Sequence, residues 1–157
     1  MGADLYINSI QGEAEARYKT MFEEAVRLRN TAATKEESDR HQVEVSKYYD
    51  LMFPEDGYFR DSYNATCLLW QLDMSWWKNP YINKSGKITP RQAAKFSKAL
   101  RYADLPDPAM LKLDGETIDD GENSREGWYR YFSEKKEALI KFLTVAIDLG
   151  EDIIASV

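Results

Sequence analysis

The sequence predicts a mainly α-helical fold of the α+β class, with about five helices around a central buried helix and a small two-stranded β-ribbon. Three observations support this prediction. Long segments carry apolar residues at helical spacing. Helix-start signals occur at Thr34, Thr89 and Asn123. Short β-branched segments lie at the two ends of the chain. The length of 157 residues fits one globular domain, residues 1–157.

Composition and charge disfavour several kinds of protein and site. A net charge of −6 favours solubility and disfavours non-specific binding of nucleic acid by the whole surface. The single cysteine, Cys67, excludes an intrachain disulfide, and the single histidine, His41, cannot build a multi-histidine metal site. No apolar leader or membrane-length run is present, so we expect a cytoplasmic protein without a membrane span, metal or cofactor.

The two chain ends carry strand signals. Leu5 and Ile7 alternate with polar neighbours, which predicts a strand within residues 3–10. The β-branched residues of 152–157 follow Gly150, a residue typical of helix ends. We therefore expect the termini to form a ribbon that packs on helices, because a ribbon alone would be marginally stable.

Two helices should follow the first strand. Apolar residues at helical spacing predict a helix from Glu13 to about Ala32. Thr34 with Glu37 forms a capping box that opens a second helix, ending near Phe53. The short break between them predicts a helical hairpin.

The segment 58–77 is the predicted centre of the fold. It is apolar on nearly every side between Cys67 and Trp77, which is typical of a buried helix. We expect that helix over about 62–77, capped by Asp61 or Ser62.

A polar and aromatic cluster stands where that helix is expected to begin. Helix N-termini bind anions, and an arginine nearby strengthens such a site. An enzyme or small-molecule site here is therefore one hypothesis, and simple capping and core packing is the other. The binding candidates are Arg60, Asp61, Tyr63, Asn64 and Trp77.

A basic helix is predicted next. The turn before it resembles part of an EF-hand calcium loop, but Tyr81 and Gln92 occupy the positions that need carboxylates. Thr89, Pro90 and Gln92 instead start a helix that runs to about Ala103. Residues 78–103 contain seven basic residues and no acid. This face either binds a phosphate backbone or is simply a solvated helix face, and its candidates are Lys84, Lys87, Arg91, Lys95 and Lys98.

An acidic stretch follows the basic one. Residues 104–126 contain eight acids, and they either neutralise the basic block or dock a basic surface on a partner. Their spacing matches no dedicated cation loop. The candidates for an acidic face are Asp114, Glu116, Asp119, Asp120 and Glu122. Asn123 with Glu126 should then open a last helix that ends near Leu149.

No catalytic motif stands out: the sequence has no phosphate loop, nucleophile elbow or Cys-x-x-Cys pair. Four segments nevertheless form a distinctive set: Gly2–Ile7, Tyr58–Asn64, Leu69-Trp70 and Ser75–Trp77. As a set they resemble a family of small uncharacterised bacterial and phage proteins. The resemblance implies a shared fold and a prokaryotic or phage setting, but no activity.

We therefore predict a non-catalytic binding or regulatory protein that acts through protein contacts. A phage-encoded modulator or inhibitor of a host defence system fits this description. The alternatives are a nucleic-acid-binding protein that uses the basic helix and a small-molecule binder or enzyme at the Arg60–Asn64 cluster.

Overall fold

The computed structural model describes residues 2–63, 66–113, 116–117 and 122–157, and for residues 113, 116–117 and 122–123 it describes the backbone alone. Its secondary structure is mainly α-helical with a small antiparallel sheet, which confirms the predicted fold class. The chain falls into two compact units. One is Ile7–Tyr58, and the other is Met1–Tyr6 with Phe59–Val157.

The unit Ile7–Tyr58 is a helical hairpin. A π-helical turn, Asn8–Gly12, leads into helix α1 (Glu13–Thr31), and helix α2 (Lys35–Met52) packs against α1. The side chain of Thr34 accepts a hydrogen bond from the backbone N of Glu37 at 3.2 Å, so the predicted cap is confirmed.

The other unit combines strands with the remaining helices. Its longest element is the last helix, which supplies much of the core through Phe132, Leu139, Phe142 and Leu143. In chain order the elements that complete the fold are β1 (Ala3–Ile7), β2 (Tyr58–Asp61), α3 (Leu68–Gln71), β3 (Lys87–Ile88), α4 (Pro90–Tyr102), β4 (Lys112–Leu113), β5 (Glu116–Thr117), α5 (Glu122–Leu149) and β6 (Ile153–Ser156).

The main sheet brings the two chain ends together. Its strand order is β2-β1-β6-β3, so the first and last strands are neighbours, as the sequence predicts. The sheet is larger than the predicted ribbon because β2 and β3 extend it on either side. Strands β3 and β6 are antiparallel, and Ile88 lies opposite Ile153 with both side chains fully buried.

Helix α4 forms as predicted. The side chain of Thr89 accepts a hydrogen bond from the backbone N of Gln92 at 3.3 Å, and Pro90 is the first helical residue. Helix α5 differs slightly at its start. It begins at Glu122, so Asn123 lies inside the first turn and is not the cap, and the helix starts two residues earlier than predicted.

The predicted central helix over 62–77 is wrong. The segment instead contains the strand β2, a turn, the four-residue helix α3 and further turns up to Pro80. Four of its apolar residues are still buried, since Cys67, Leu68, Leu69 and Trp76 are at most 1% exposed, whereas Trp70 and Trp77 are 46% and 67% exposed. A compact irregular segment therefore buries much of the apolar surface that the pattern assigned to a helix.

The described part of 105–121 contains three short elements. A short 3-10 turn, Pro108–Met110, precedes the antiparallel pair of β4 and β5. The side-chain amide of Gln71 donates to the carbonyl of Lys112 at 2.6 Å and so joins β4 to the end of α3. Among the described residues, no helix combines the length and apolar character that crossing a bilayer requires.

Candidate binding surfaces

The Arg60–Asn64 cluster does not converge on one site. Arg60 and Asp61 are neighbours in strand β2, and adjacent strand residues point to opposite faces. The side chain of Arg60 is 56% exposed, whereas that of Asp61 is completely buried. Asn64 lies outside the described residues. The sequence predicted the N-terminus of a helix here. The segment is a strand instead, and its side chains alternate between two faces, so Arg60 and Asp61 point away from each other.

Asp61 organises the core beneath the surface. Its Oδ1 accepts hydrogen bonds from the backbone N of Ser62 at 2.9 Å and of Leu68 at 2.8 Å. Its Oδ2 accepts from the Trp76 indole Nε1 at 2.7 Å and from the backbone N of Leu69 at 3.3 Å. These donors come from the residue that follows β2, from α3 and from the turns after α3, so one carboxylate fixes the path of an otherwise irregular segment.

A lysine of α5 neutralises this buried carboxylate. Lys135 Nζ lies 3.0 Å from Asp61 Oδ1, and its side chain is only 11% exposed. The same ammonium group donates to Ser62 Oγ and to the Tyr131 hydroxyl, each at 3.1 Å. Burial by itself raises the pKa of Tyr131. Its hydrogen bonds with Lys135 and Ser62 and the charge of Lys135 have the opposite effect, and the pKa of Tyr131 is below its usual value as a result.

Sequence reasoning missed Lys135 and Tyr131. They lie on the last helix, far along the chain from Asp61, and only their i,i+4 spacing places them on one face. This arrangement joins the last helix to the end of β2 and to the residue that follows it. Burial, together with the charge of and a hydrogen bond to Asp61, raises the pKa of the neighbouring Cys67 thiol to about 12.

The exposed half of the cluster forms a small polar network with strand β1. The Tyr63 hydroxyl donates to Asp4 Oδ2 at 2.7 Å, and Arg60 Nε lies 3.8 Å from Asp4 Oδ1. Burial and the hydrogen bond to Asp4 raise the pKa of Tyr63 to about 12. Arg60 and Tyr63 thus already have partners within the protein. The remaining candidate, Trp77, is 67% exposed.

The five candidate residues of the basic face, Lys84, Lys87, Arg91, Lys95 and Lys98, are all exposed. Among the described residues, none of them forms an ion pair. Three of them, Arg91, Lys95 and Lys98, belong to α4. They lie opposite the buried Ala93 and Phe96, so the helix has one face in the core and one face in solvent.

An exposed tyrosine continues this face, and sequence reasoning missed it. Arg91, Lys95, Lys98 and Tyr102 follow one another at spacings of four, three and four residues, which places them on one stripe of a helix. Tyr102 is 78% exposed, more than any other large hydrophobic residue in the described part of the chain. Its spacing from Lys98 was the signal that could have identified it.

The predicted acidic face falls mostly outside what the structure describes. Asp114, Asp119 and Asp120 lie outside the described residues, and for Glu116 and Glu122 only the backbone is described. Among the described residues, no group of three or more histidine, cysteine or acidic side chains is arranged to hold a metal ion.

No protein family, curated protein or solved structure matches this chain. The resemblance to small bacterial and phage proteins therefore stays a prediction.

Proposed function

We propose that this chain is a non-catalytic binding protein, and that its basic face docks an acidic surface of a protein partner. One observation carries the proposal. Five cations on α4, on β3 and in the turn before β3 are exposed, and none of them forms an ion pair among the described residues. A concentrated patch of one charge speeds association with a complementary surface and orients it.

The charge of the whole chain favours a specific partner. The net charge is −6 although residues 78–103 contain seven basic residues and no acid. The rest of the chain is therefore strongly acidic. A long polyanion would be repelled wherever it left the basic face, whereas a protein with a local acidic patch would not. The setting implied by the sequence resemblance extends the proposal to a phage-encoded modulator or inhibitor of a host defence system.

The test is capture of partners from a nuclease-treated lysate of a prokaryotic host, with cross-linking at the basic face. The perturbed variant carries Lys95→Glu and Lys98→Glu, both at exposed positions of α4. The matched control carries Lys35→Glu and Arg40→Glu, an identical charge change at exposed positions of α2. We expect a stoichiometric protein on the wild type and the control, and its loss from the α4 variant.

Two results would contradict the proposal. If both double variants lose the partner equally, net charge and not the basic face determines binding. If the wild type captures only material that nuclease removes, the partner is a nucleic acid.

Nucleic-acid binding is the second candidate, and Tyr102 favours it. An exposed aromatic ring in line with three cations is an arrangement that proteins use to stack a base while they bind the backbone. This candidate predicts that Tyr102→Ala weakens binding to a single strand of about 12 nucleotides by roughly 1–3 kcal/mol.

Fluorescence anisotropy at low salt separates the two candidates. A nucleic-acid site predicts affinity that falls steeply with salt, and a shallower slope for the variant Lys95→Glu with Lys98→Glu. Absence of binding at low salt excludes this second candidate and leaves the protein-binding proposal unaffected.

A further inference from the structure

A cavity of about 440 Å³ lies between the turn that follows α3 and the inner side of α4. Its size falls in the range of pockets that hold small molecules, roughly 300–1,000 Å³. All of its lining residues are described and belong to one compact unit. It is separate from the basic face, because none of the five cations of that face lines it.

The wall of the cavity is apolar, aromatic and held in place. Met74, Pro80 and Tyr81 line it. The Tyr81 ring stacks on the buried Phe96 ring with centroids 5.0 Å apart and planes inclined by 17°. The backbone N of Tyr81 donates to the Asn79 side chain at 2.9 Å. The tyrosine is therefore fixed from two directions before any ligand arrives.

The cavity also carries one charge of each sign. Asp73 and Lys78 both line it and both are exposed. Among the described residues, neither of them forms an ion pair. An ammonium and a carboxylate are thus available to a ligand on one apolar wall.

The backbone at Asp73 is unusual. Its φ of 54° lies in the left-handed region, and it is the only described residue other than glycine with a positive φ. The backbone N of Asp73 donates to the Trp70 carbonyl and that of Met74 to the Leu69 carbonyl, which together form a Schellman motif at the end of α3. Glycine is the usual residue at this position, because a side chain there is strained. Aspartate is one of the few other residues that adopt this conformation, and here it places a carboxylate at the cavity.

We propose that this cavity binds a small zwitterion with an aromatic body, such as a free aromatic amino acid. Asp73 binds the ammonium group of the ligand, Lys78 binds its carboxylate, and the wall with Tyr81 takes the ring. An uncharged aromatic compound would leave both charges unused, and a simple anion would meet the repulsion of Asp73.

The test is a chemical-shift titration of the uniformly labelled full chain. The probes are L-phenylalanine, 2-phenylethylamine, which lacks the carboxylate, and 3-phenylpropionate, which lacks the ammonium group. From the usual affinity per non-hydrogen atom of a ligand we expect L-phenylalanine to bind with a Kd of about 1 mM. Each analogue should bind about fivefold more weakly, since each loses one charge-assisted contact at a partly exposed site.

Variants assign the two contacts. Asp73→Asn keeps a residue that tolerates the left-handed conformation, and it should abolish the preference for L-phenylalanine over 3-phenylpropionate. Lys78→Met should abolish the preference over 2-phenylethylamine. Lys84→Met removes an exposed lysine outside the cavity and should bind all three probes as the wild type does.

The titration and the variants can each support or overturn binding of the zwitterion in the cavity. Shifts confined to the cavity, with the two preferences lost separately in the two variants, support the proposal. It is overturned if no cavity resonance shifts with L-phenylalanine up to about 10 mM. It is also overturned if the three probes bind equally to the wild type, or if Lys84→Met has the same effect as Lys78→Met.

Discussion

Replacement of Lys135 by methionine should destabilise the protein severely, because it leaves a buried carboxylate without its counter-ion. The side chain of Asp61 is fully buried and lies 3.0 Å from Lys135 Nζ. Removal of one partner of a buried ion pair typically costs about 3–5 kcal/mol. Methionine fills a similar volume, so little of the expected loss comes from a cavity.

The other contacts of Asp61 place the effect near the lower end of that range. After the substitution the carboxylate still accepts from the backbone N of Ser62 and Leu68 and from Trp76 Nε1, at 2.9, 2.8 and 2.7 Å. Hydrogen bonds to a charged group contribute about 1.5–3 kcal/mol each, and they keep the anion solvated. We therefore expect Lys135→Met to lower the free energy of unfolding by about 3 kcal/mol.

Asp61→Asn should cost more, about 4–5 kcal/mol. The amide replaces one acceptor oxygen by an NH₂ group, which faces hydrogen-bond donors whichever way the side chain is turned. It also leaves the largely buried Lys135 ammonium without a counter-ion. The double variant Asp61→Asn with Lys135→Met removes both charges, so its loss should be smaller than the sum of the two single losses by roughly 1–3 kcal/mol.

Urea unfolding followed by tryptophan fluorescence measures all three variants, and Lys141→Met, an exposed lysine on the same helix, serves as the control. The control should change the free energy of unfolding by less than about 0.5 kcal/mol. Two results would refute the reasoning. One is a loss for Lys135→Met no larger than that of the control. The other is strict additivity in the double variant, which would mean that the two charges do not interact.

Three further predictions concern single residues of the same unit. Because the pKa of Cys67 is raised from 9.0 to about 12, its thiol stabilises the fold fully below pH 9 and loses that contribution as pH rises toward 12. The free energy of unfolding, measured between pH 9 and pH 12, should therefore fall more for the wild type than for Cys67→Ala. An equal fall in both proteins would contradict the raised pKa of Cys67. Thr89→Ala should cost about 1 kcal/mol in urea unfolding by removal of the bond from Gln92, and an unchanged value would mean that Pro90 alone fixes the start of α4. Asp73→Gly should raise the free energy of unfolding by about 0.5–1 kcal/mol by relief of the left-handed strain, and a loss of stability would show that the aspartate supports the turn.

Local signals in the sequence were sufficient for most of the fold. Thr34 and Thr89 cap the helices that their capping boxes predict, and α1, α2 and α4 end within one residue of the predicted ends. These signals depend on residues within one helical turn of each other, so no knowledge of the tertiary structure is needed to interpret them. The exposed face of α4 was predictable for the same reason, since helical spacing alone separates its cations from Phe96.

The prediction failed where the structure depends on distant partners. Between Tyr58 and Trp77 the apolar pattern is shared by a buried helix and by a compact buried segment, and periodicity does not distinguish them. Asp61 decides between them. In place of the hydrogen bonds of a helix, its carboxylate accepts hydrogen bonds from the backbone N of Ser62, the backbone N of Leu68 and the indole of Trp76. A buried aspartate is tolerable only with a cation nearby, and that cation, Lys135, comes from a helix that no local pattern connects to it.

The structure separates the residues that hold α4 in place from those that face solvent, and this makes the binding proposal testable. Phe96 packs edge-on against Trp76 with ring centroids 5.7 Å apart, and Trp76 in turn donates to Asp61. Lys95 and Lys98 take no part in these contacts and form no ion pair among the described residues. Reversal of both charges should therefore change the free energy of unfolding by no more than about 0.5 kcal/mol each. A lost partner with unchanged stability is then a direct effect on the binding surface, whereas a fall in stability as large as that of Lys135→Met would show that the basic face also holds the fold together.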